Sequence, residues 1–117
     1  MTQVTIYHNP RCSKSRQTLQ LLEQHGYQPK VVEYLKETPS VTELKTLVKQ
    51  LGFVSARELM RSKEEDYKTL NLATEANEQA LLQAMVDYPK LIERPIVVVG
   101  DQARLGRPPE AVLELFS

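Results

Sequence analysis

The segment IVVVGDQARL, residues 96–105, constrains the fold more than any other stretch of this chain. Its four consecutive apolar residues are typical of a strand that is buried on both faces. The Gly-Asp pair that follows suits a two-residue hairpin loop, which predicts a further strand over 102–106. In that register Val99 pairs with Gln102. We therefore expect a β-hairpin towards the carboxyl end of the chain.

A strand–helix–strand unit is predicted at the amino end. The segment VTIYH (4–8) alternates and is rich in residues that favour strands, and KVVEYL (30–35) is a second strand. Between them, 13–25 has helical spacing of its leucines and stops at Gly26, a residue type that favours helix ends. This unit, the hairpin and a last helix announced by Pro-Pro-Glu at 108–110 predict an α/β fold. The expected sheet is mixed, four-stranded and thioredoxin-like (glutaredoxin-like).

Further helices are expected between the two halves of this sheet. Two capping boxes mark helix starts, at Ser40-x-x-Glu43 and Ser55-x-x-Glu58. The predicted helices cover 39–52, 56–61 and 75–87, whereas 63–70 is ambiguous. We expect residues 1–117 to form a single domain with a helical insertion.

Composition excludes several classes of function. Fifteen basic and fifteen acidic residues cancel, which argues against a general binder of nucleic acid or membrane surfaces. No apolar run of about 18 residues and no signal-peptide pattern is present, so we expect a cytoplasmic protein. With one cysteine and two histidines, neither an internal disulfide nor a zinc site is expected, and we expect no bound metal.

Cys12 lies in the turn between the first predicted strand and the first helix, with Arg11, Lys14 and Arg16 around it. Backbone N–H groups and the positive end of the helix dipole favour a thiolate in such a turn, and they also bind oxyanions. Cys12 is therefore a candidate nucleophile for attack on a tetrahedral oxyanion. The alternative is a buried, inert cysteine.

Two neighbours of Cys12 have open roles. His8, four residues earlier, either hydrogen-bonds or charge-pairs with the thiolate or merely ends the strand. Ser15, like Ser13, either caps the helix or donates to a bound anion.

The hairpin register places Arg94 opposite Arg107. Like charges on adjacent strands repel each other, so an anion between them would explain the pair. Alternatively, a one-residue register shift separates them, or both extend into solvent. In a thioredoxin-like sheet the strand that begins near Pro95 runs antiparallel to the first strand, which brings these arginines beside Cys12. Pro95 either follows a cis peptide bond or simply starts the strand in trans.

Arg57 and Arg61 have helical i, i+4 spacing. From the residues alone, Arg61 is expected to pair with Glu65 on a helix surface, a contact worth only about 0.2–0.5 kcal/mol.

Four segments, YHNPRCSKSR, ELMRSKEEDY, PKLIERPIVV and RLGRPPE, together resemble the glutaredoxin-dependent arsenate reductase family, including its small bacterial paralogues. The resemblance covers nearly the whole chain, in order. It implies a thioredoxin-like fold with a helical insertion, Cys12 as nucleophile, and His8 and Pro95 as the family's upstream histidine and cis proline. It also implies three anion-binding arginines: Arg61, Arg94 and Arg107.

The resemblance also implies a catalytic cycle. Cys12 attacks arsenate or a similar oxyanion, glutathione acts as co-substrate without any bound cofactor, and glutaredoxin resolves the mixed disulfide. We expect a monomer with no nucleic-acid or membrane partner. The family's resistance enzymes have a Gly-Thr pair where this chain has Ser13 and Lys14, and a small residue at Arg11.

Two other functions stay open. One is a regulatory or binding protein with a thioredoxin fold and no reductase activity, although Ser15 excludes a Cys-x-x-Cys switch. The other is a glutathione-linked thiol oxidoreductase that acts on another substrate.

Overall fold

The structure, a computed structural model, describes residues 3–116. The chain divides into two compact units. The first joins Met1–Glu37 to Arg94–Ser117, and the second is Thr38–Glu93. No helix in the described part of the chain is long and apolar enough to cross a membrane.

The first unit contains a four-stranded mixed sheet. Its strands are β1 (Val4–Tyr7), β2 (Lys30–Val32), β3 (Ile96–Val99) and β4 (Gln102–Leu105), in the spatial order β2-β1-β3-β4. β1 is parallel to β2 and antiparallel to β3, and β3 is antiparallel to β4. The predicted α/β fold and mixed sheet are therefore confirmed.

The hairpin register also agrees with the prediction. Val99 pairs with Gln102, and Ile96 pairs with Leu105. Across the sheet, Tyr7 pairs with Ile96, so the start of β3 lies beside the end of β1. Because the loop after β1 begins at this point, the sheet brings the start of β3 close to the segment that carries the only cysteine.

One helix, α1 (Ser13–Gln24), and a 3₁₀ helix (Pro109–Phe116) cover this sheet. Their core contains alternate residues of β1 and one buried residue from each of three other elements: Val4, Ile6, Leu22, Val97 and Val112. The rings of Tyr27 and Phe116 stack beside this core with centroids 4.0 Å apart. Each fully buried aliphatic side chain of this kind stabilises the fold by about 1.5–3 kcal/mol, which fixes α1 against the sheet.

Four elements of this unit end earlier than the sequence predicts: β1 and β4 by one residue each, and also β2 and α1. The strand predicted over 30–35 ends at Val32 because the chain turns at once, with the N–H of Lys36 donating to the carbonyl of Glu33 at 2.9 Å. The predicted last helix is present as a 3₁₀ helix. α1 ends one residue early, and Gly26 follows with a left-handed φ of 86°.

The second unit is helical. α2 (Val41–Gln50) and a 3₁₀ helix (Ala56–Leu59) both begin with the predicted capping boxes. The ambiguous segment forms α3 (Glu65–Thr69), and α4 (Glu78–Asp87) starts later than predicted because the Asn77 side chain caps it. Two further 3₁₀ turns are Leu72–Thr74 and Pro89–Leu91.

Arg57 has a structural role in this unit. Its Nη1 donates to the hydroxyl of Tyr67 at 2.6 Å and to the carbonyl of Leu72 at 2.7 Å, and its Nη2 donates to the carbonyl of Glu75. One guanidinium therefore satisfies two backbone carbonyls and a tyrosine that surround it.

Candidate active site

Cys12 lies at the amino end of α1, as its N-cap residue, with extended backbone angles. Asn9 accepts two hydrogen bonds that fix the preceding turn. Its carbonyl accepts the N–H of Cys12, and its side-chain oxygen accepts the N–H of Arg11, each at 3.0 Å. The Arg16 guanidinium donates to the carbonyl of Pro10 at 2.8 Å. The thiol is therefore held on a tight loop where the free N–H groups of a helix begin.

The surroundings of Cys12 favour its ionised form. Partial burial acts to raise the pKa of the thiol, but hydrogen bonds from the Ser15 N–H and the Arg94 side chain, the charge of Arg94 and the Lys14 N–H outweigh it. The net effect lowers the pKa of Cys12 below its ordinary value. A thiolate is the nucleophilic form of cysteine, so this side chain is prepared for attack.

Two arginines of the hairpin lie at this thiol. Arg107 places its Nη2 at 3.8 Å from the Cys12 Sγ and donates its Nε–H to the carbonyl of Arg94 at 2.8 Å. The ladder continues one step past β3 and β4, since the N–H of Gly106 donates to the carbonyl of Pro95 at 3.0 Å. The structure therefore brings together Cys12, Arg94 and Arg107, which are far apart in the sequence.

Both arginines precede a proline across a cis peptide bond, Arg94–Pro95 and Arg107–Pro108. Sequence reasoning singled out the first of these as a candidate cis bond. It missed the second.

His8 and Ser15 form a buried pair under the Cys12 loop. The N–H of His8 donates to the carbonyl of Val32 at 2.8 Å, and its Nδ1 lies 2.6 Å from the Ser15 Oγ. That oxygen also accepts the N–H of Asn9 at 3.0 Å. Burial lowers the pKa of His8, the charge of Glu33 acts to raise it and that of Arg16 adds to the lowering.

The hydroxyl of Ser15 therefore neither caps α1 nor extends toward an anion site. Its bonds to His8 and Asn9 hold the loop, and its backbone N–H is the group that acts on the thiol.

The ArsC family model matches residues 7–115. The chain belongs to the ArsC family. An arsenate reductase of Haemophilus influenzae is 51% identical over 114 residues, which is 97% of this chain and 98% of that protein. An uncharacterized Escherichia coli K12 protein, YfgD, is 61% identical over 114 residues, 97% of this chain and 96% of its own length. The solved structure of an arsenate reductase from Vibrio cholerae superposes with a TM-score of 0.94 and 59% identity, covering 97% of each chain.

The third predicted arginine of this ArsC-family chain, Arg61, lies in the second unit. Its N–H donates to the carbonyl of Leu91 at 2.8 Å, and its Nε lies 3.8 Å from Glu64 rather than pairing with Glu65. The predicted pairing is wrong because the 3₁₀ helix ends at Leu59, so the i, i+4 spacing does not apply. The Nη1 of Arg61 is buried and has no hydrogen-bond partner within the described residues.

Gly106 is a supporting residue that sequence reasoning missed. A Cβ at this position would lie 2.6 Å from the Pro95 Cγ and would also collide with Thr18 of α1. The backbone between Leu105 and Arg107 can therefore approach both only as glycine. An isolated glycine in a strand pattern was the available signal, because it often marks a close backbone approach.

Residues 3–116 contain no group of three or more histidine, cysteine, aspartate or glutamate side chains that could hold a metal ion. The groups that surround Cys12 are two arginine side chains and backbone N–H donors.

Proposed function

We propose that this ArsC-family protein reduces arsenate to arsenite, with Cys12 as the nucleophile, glutathione as the second thiol and glutaredoxin as the partner that restores the enzyme. The observation that carries the proposal is the convergence of Arg94, Arg107 and two backbone N–H groups on one thiolate. Arsenate reductases among the relatives support the choice of oxyanion.

Donors around Cys12 suit an oxyanion as well as a thiolate. The N–H groups of Lys14 and Ser15 lie at the start of a helix, where anions bind. The planar guanidinium groups of Arg94 and Arg107 can each donate two bonds to oxygen. Such fixed donors stabilise charge as it develops on the oxygens in the transition state.

In the first step the Cys12 thiolate attacks arsenic. A sulfur–arsenic bond forms, and one arsenate oxygen takes up protons and leaves as water. Arg94 and Arg107 hold the remaining oxygens during the exchange. Arg61 is proposed as a third ligand of the anion, and its buried Nη1 without a partner supports this assignment.

In the second step the glutathione thiolate attacks the Cys12 sulfur. A disulfide forms, the electron pair of the sulfur–arsenic bond stays on arsenic, and As(V) becomes As(III), which leaves as arsenite. A glutaredoxin thiolate then attacks the glutathionyl sulfur and releases the Cys12 thiolate. The chain has one cysteine, so the second sulfur must come from another molecule.

A coupled assay tests the proposal. We would follow NADPH consumption with arsenate, glutathione, glutaredoxin and glutathione reductase, and compare the protein with Cys12→Ser. The proposal expects turnover that requires arsenate, both thiol components and Cys12. Turnover that survives in Cys12→Ser would overturn the nucleophile assignment.

Absence of turnover would need one further measurement. If Cys12 of the same preparation still alkylates rapidly, the thiol site is intact and arsenate is the wrong oxyanion. Repeating the assay with thioredoxin and thioredoxin reductase in place of the glutathione system tests the identity of the reductant.

A further inference from the structure

Arg11 and Lys14 are two exposed cations on either side of Cys12. The first turn of α1 contains no acidic residue. Lys36, Arg61 and Arg104 form ion pairs, whereas Arg11 and Lys14 form none within residues 3–116. In a chain with zero net charge, the entrance to the thiol therefore has unbalanced positive charge.

An effect on the ionisation of Cys12 does not explain the presence of these two cationic side chains. The groups that lower the pKa of Cys12 are Arg94 and backbone N–H groups, including the N–H of Lys14 but neither the Arg11 guanidinium nor the Lys14 ammonium. Arg16, the next cation along, is already engaged with the carbonyl of Pro10. The side chains of Arg11 and Lys14 are thus available to a molecule that approaches Cys12 from solvent.

We propose that Arg11 and Lys14 select a negatively charged thiol as the molecule that reacts at the Cys12 sulfur, by attracting its carboxylates. This inference rests on the proposed function, in which a second thiol must attack that sulfur. A thiol such as glutathione, with two carboxylates and one ammonium group, fits a cationic entrance better than a neutral thiol does.

The size of the effect follows from Coulomb's law. One cation and one negative charge roughly 8 Å apart in water attract each other enough to raise a reaction rate about twofold. For a reagent with two negative charges, the same cation raises the rate about fivefold. Salt weakens the effect, because the screening length is about 8 Å at physiological ionic strength. The rate advantage that Arg11 and Lys14 give to an anionic reagent must therefore decline as salt is added.

Two aromatic disulfides isolate this effect from arsenate chemistry. Dithiobis(nitrobenzoate) carries two carboxylates, and dithiodipyridine is neutral. With either reagent the Cys12 thiolate attacks one sulfur, a mixed disulfide forms, and one coloured arylthiolate leaves. The ratio of the two second-order rate constants cancels differences in thiolate population and reports charge selection alone.

The variants are Arg11→Gln, Lys14→Gln and the double variant, with Lys30→Gln as the matched control. Lys30 is an exposed lysine of the same unit, at the start of β2. The proposal expects the anionic-to-neutral ratio to fall about fivefold in each single variant at low salt and further in the double variant. The control keeps the ratio of the unmodified protein. Variant ratios equal to that of the control, or a ratio in the unmodified protein that salt does not change, would overturn the proposal.

The coupled arsenate assay separates this proposal from the proposed function. If the ratio falls in the variants but the protein does not turn over arsenate, charge selection stands and the proposed function fails. If arsenate is turned over and the ratio is unchanged, the proposed function stands and the role of Arg11 and Lys14 is wrong. With both correct, the arsenate assay shows turnover and KM for glutathione rises in the variants.

Discussion

Arg107 donates its Nε–H to the carbonyl oxygen of Arg94 at 2.8 Å, and the same guanidinium places Nη2 at 3.8 Å from the Cys12 sulfur. One side chain thus joins both ends of the hairpin to the thiol. Two like charges opposite each other would destabilise a hairpin. Here Arg107 donates to the carbonyl oxygen of Arg94, and the side chains of both arginines contact the Cys12 sulfur. The Cys12 thiolate therefore supplies a negative charge beside the two arginines without a bound oxyanion.

Arg94→Gln should raise the pKa of Cys12. The hydrogen bond and the charge of the Arg94 side chain both lower that pKa, against the opposing effect of burial. Thiolate absorbance in the ultraviolet, followed across a pH titration, measures the change. Arg104→Gln is the matched control, because Arg104 lies on β4 and pairs with Glu114 at 3.4 Å. An unchanged pKa in Arg94→Gln would show that the groups that remain, the backbone N–H groups and Arg107, are sufficient to ionise the thiol.

The thiolate should also make stability depend on pH. Because the pKa of Cys12 is lower in the folded protein, ionisation contributes stability that is fully present above the unfolded pKa, about 8.5. That contribution is lost as the pH falls through the folded pKa. The difference in unfolding free energy between the protein and Cys12→Ser should therefore grow as the pH rises through this window.

Urea unfolding at a series of pH values measures that difference. Protein alkylated at Cys12 with iodoacetamide cannot ionise there, so its pH dependence should follow that of Cys12→Ser. A constant difference between the unmodified protein and Cys12→Ser across the window would contradict the expected linkage.

Structural features that depend on residues close together in the sequence, such as hairpin pairing and helix caps, could be predicted from the sequence. A two-residue loop and a period of two residues fixed the pairing of Ile96 with Leu105. Side-chain spacing likewise identified the capping boxes at Ser40 and Ser55. The expected approach of Arg94 to Cys12 followed from strand direction, which needs only the order of elements.

Features that depend on tertiary packing could not be predicted in this way. Tyr34 extends the apolar pattern of β2, but it is buried beyond the end of the strand. The hydroxyl of Ser15 is buried against His8, and a sequence does not reveal which serine loses its contact with water. The space left by Gly106 depends on Thr18 and Pro95, which are distant in the sequence.

Gly106→Ala should destabilise the protein and disturb the site together. The added methyl collides with Thr18 and Pro95, and overpacking of this kind costs about 1–3 kcal/mol. Pro95 follows Arg94 and Gly106 precedes Arg107, so a backbone shift that relieves the collision also moves both arginines. Thermal unfolding gives the stability, and the alkylation rate of Cys12 reports the site.

Thr18→Ala combined with Gly106→Ala is the informative double variant. Removing the threonine branch takes away part of the collision, so the two changes should cost less together than the sum of the single changes. Additive costs would mean that the contact between Gly106 and Thr18 is not the source of the destabilisation.

Arg57 and Arg61, four residues apart, should respond to substitution in different ways. Arg57→Ala removes three hydrogen bonds from the second unit. The carbonyl of Leu72 still accepts the N–H of Glu75, but the carbonyl of Glu75 loses its guanidinium donor, so the change should cost about 2–4 kcal/mol of unfolding free energy. Arg61→Ala removes a weak ion pair with Glu64 at 3.8 Å, worth about 0–1 kcal/mol. Its larger expected effect is on function: about a tenfold rise in KM for arsenate, since a charged hydrogen bond is worth about 1.5–3 kcal/mol.

Arg61→Lys separates charge from shape in this test. Lysine keeps the positive charge but lacks the planar fork that binds two oxygens of an anion, so it should restore only part of the arsenate affinity. The proposed role of Arg61 fails if Arg61→Ala and the protein have equal KM for arsenate. It also fails if stability falls as far in Arg61→Ala as in Arg57→Ala, because both arginines would then be structural.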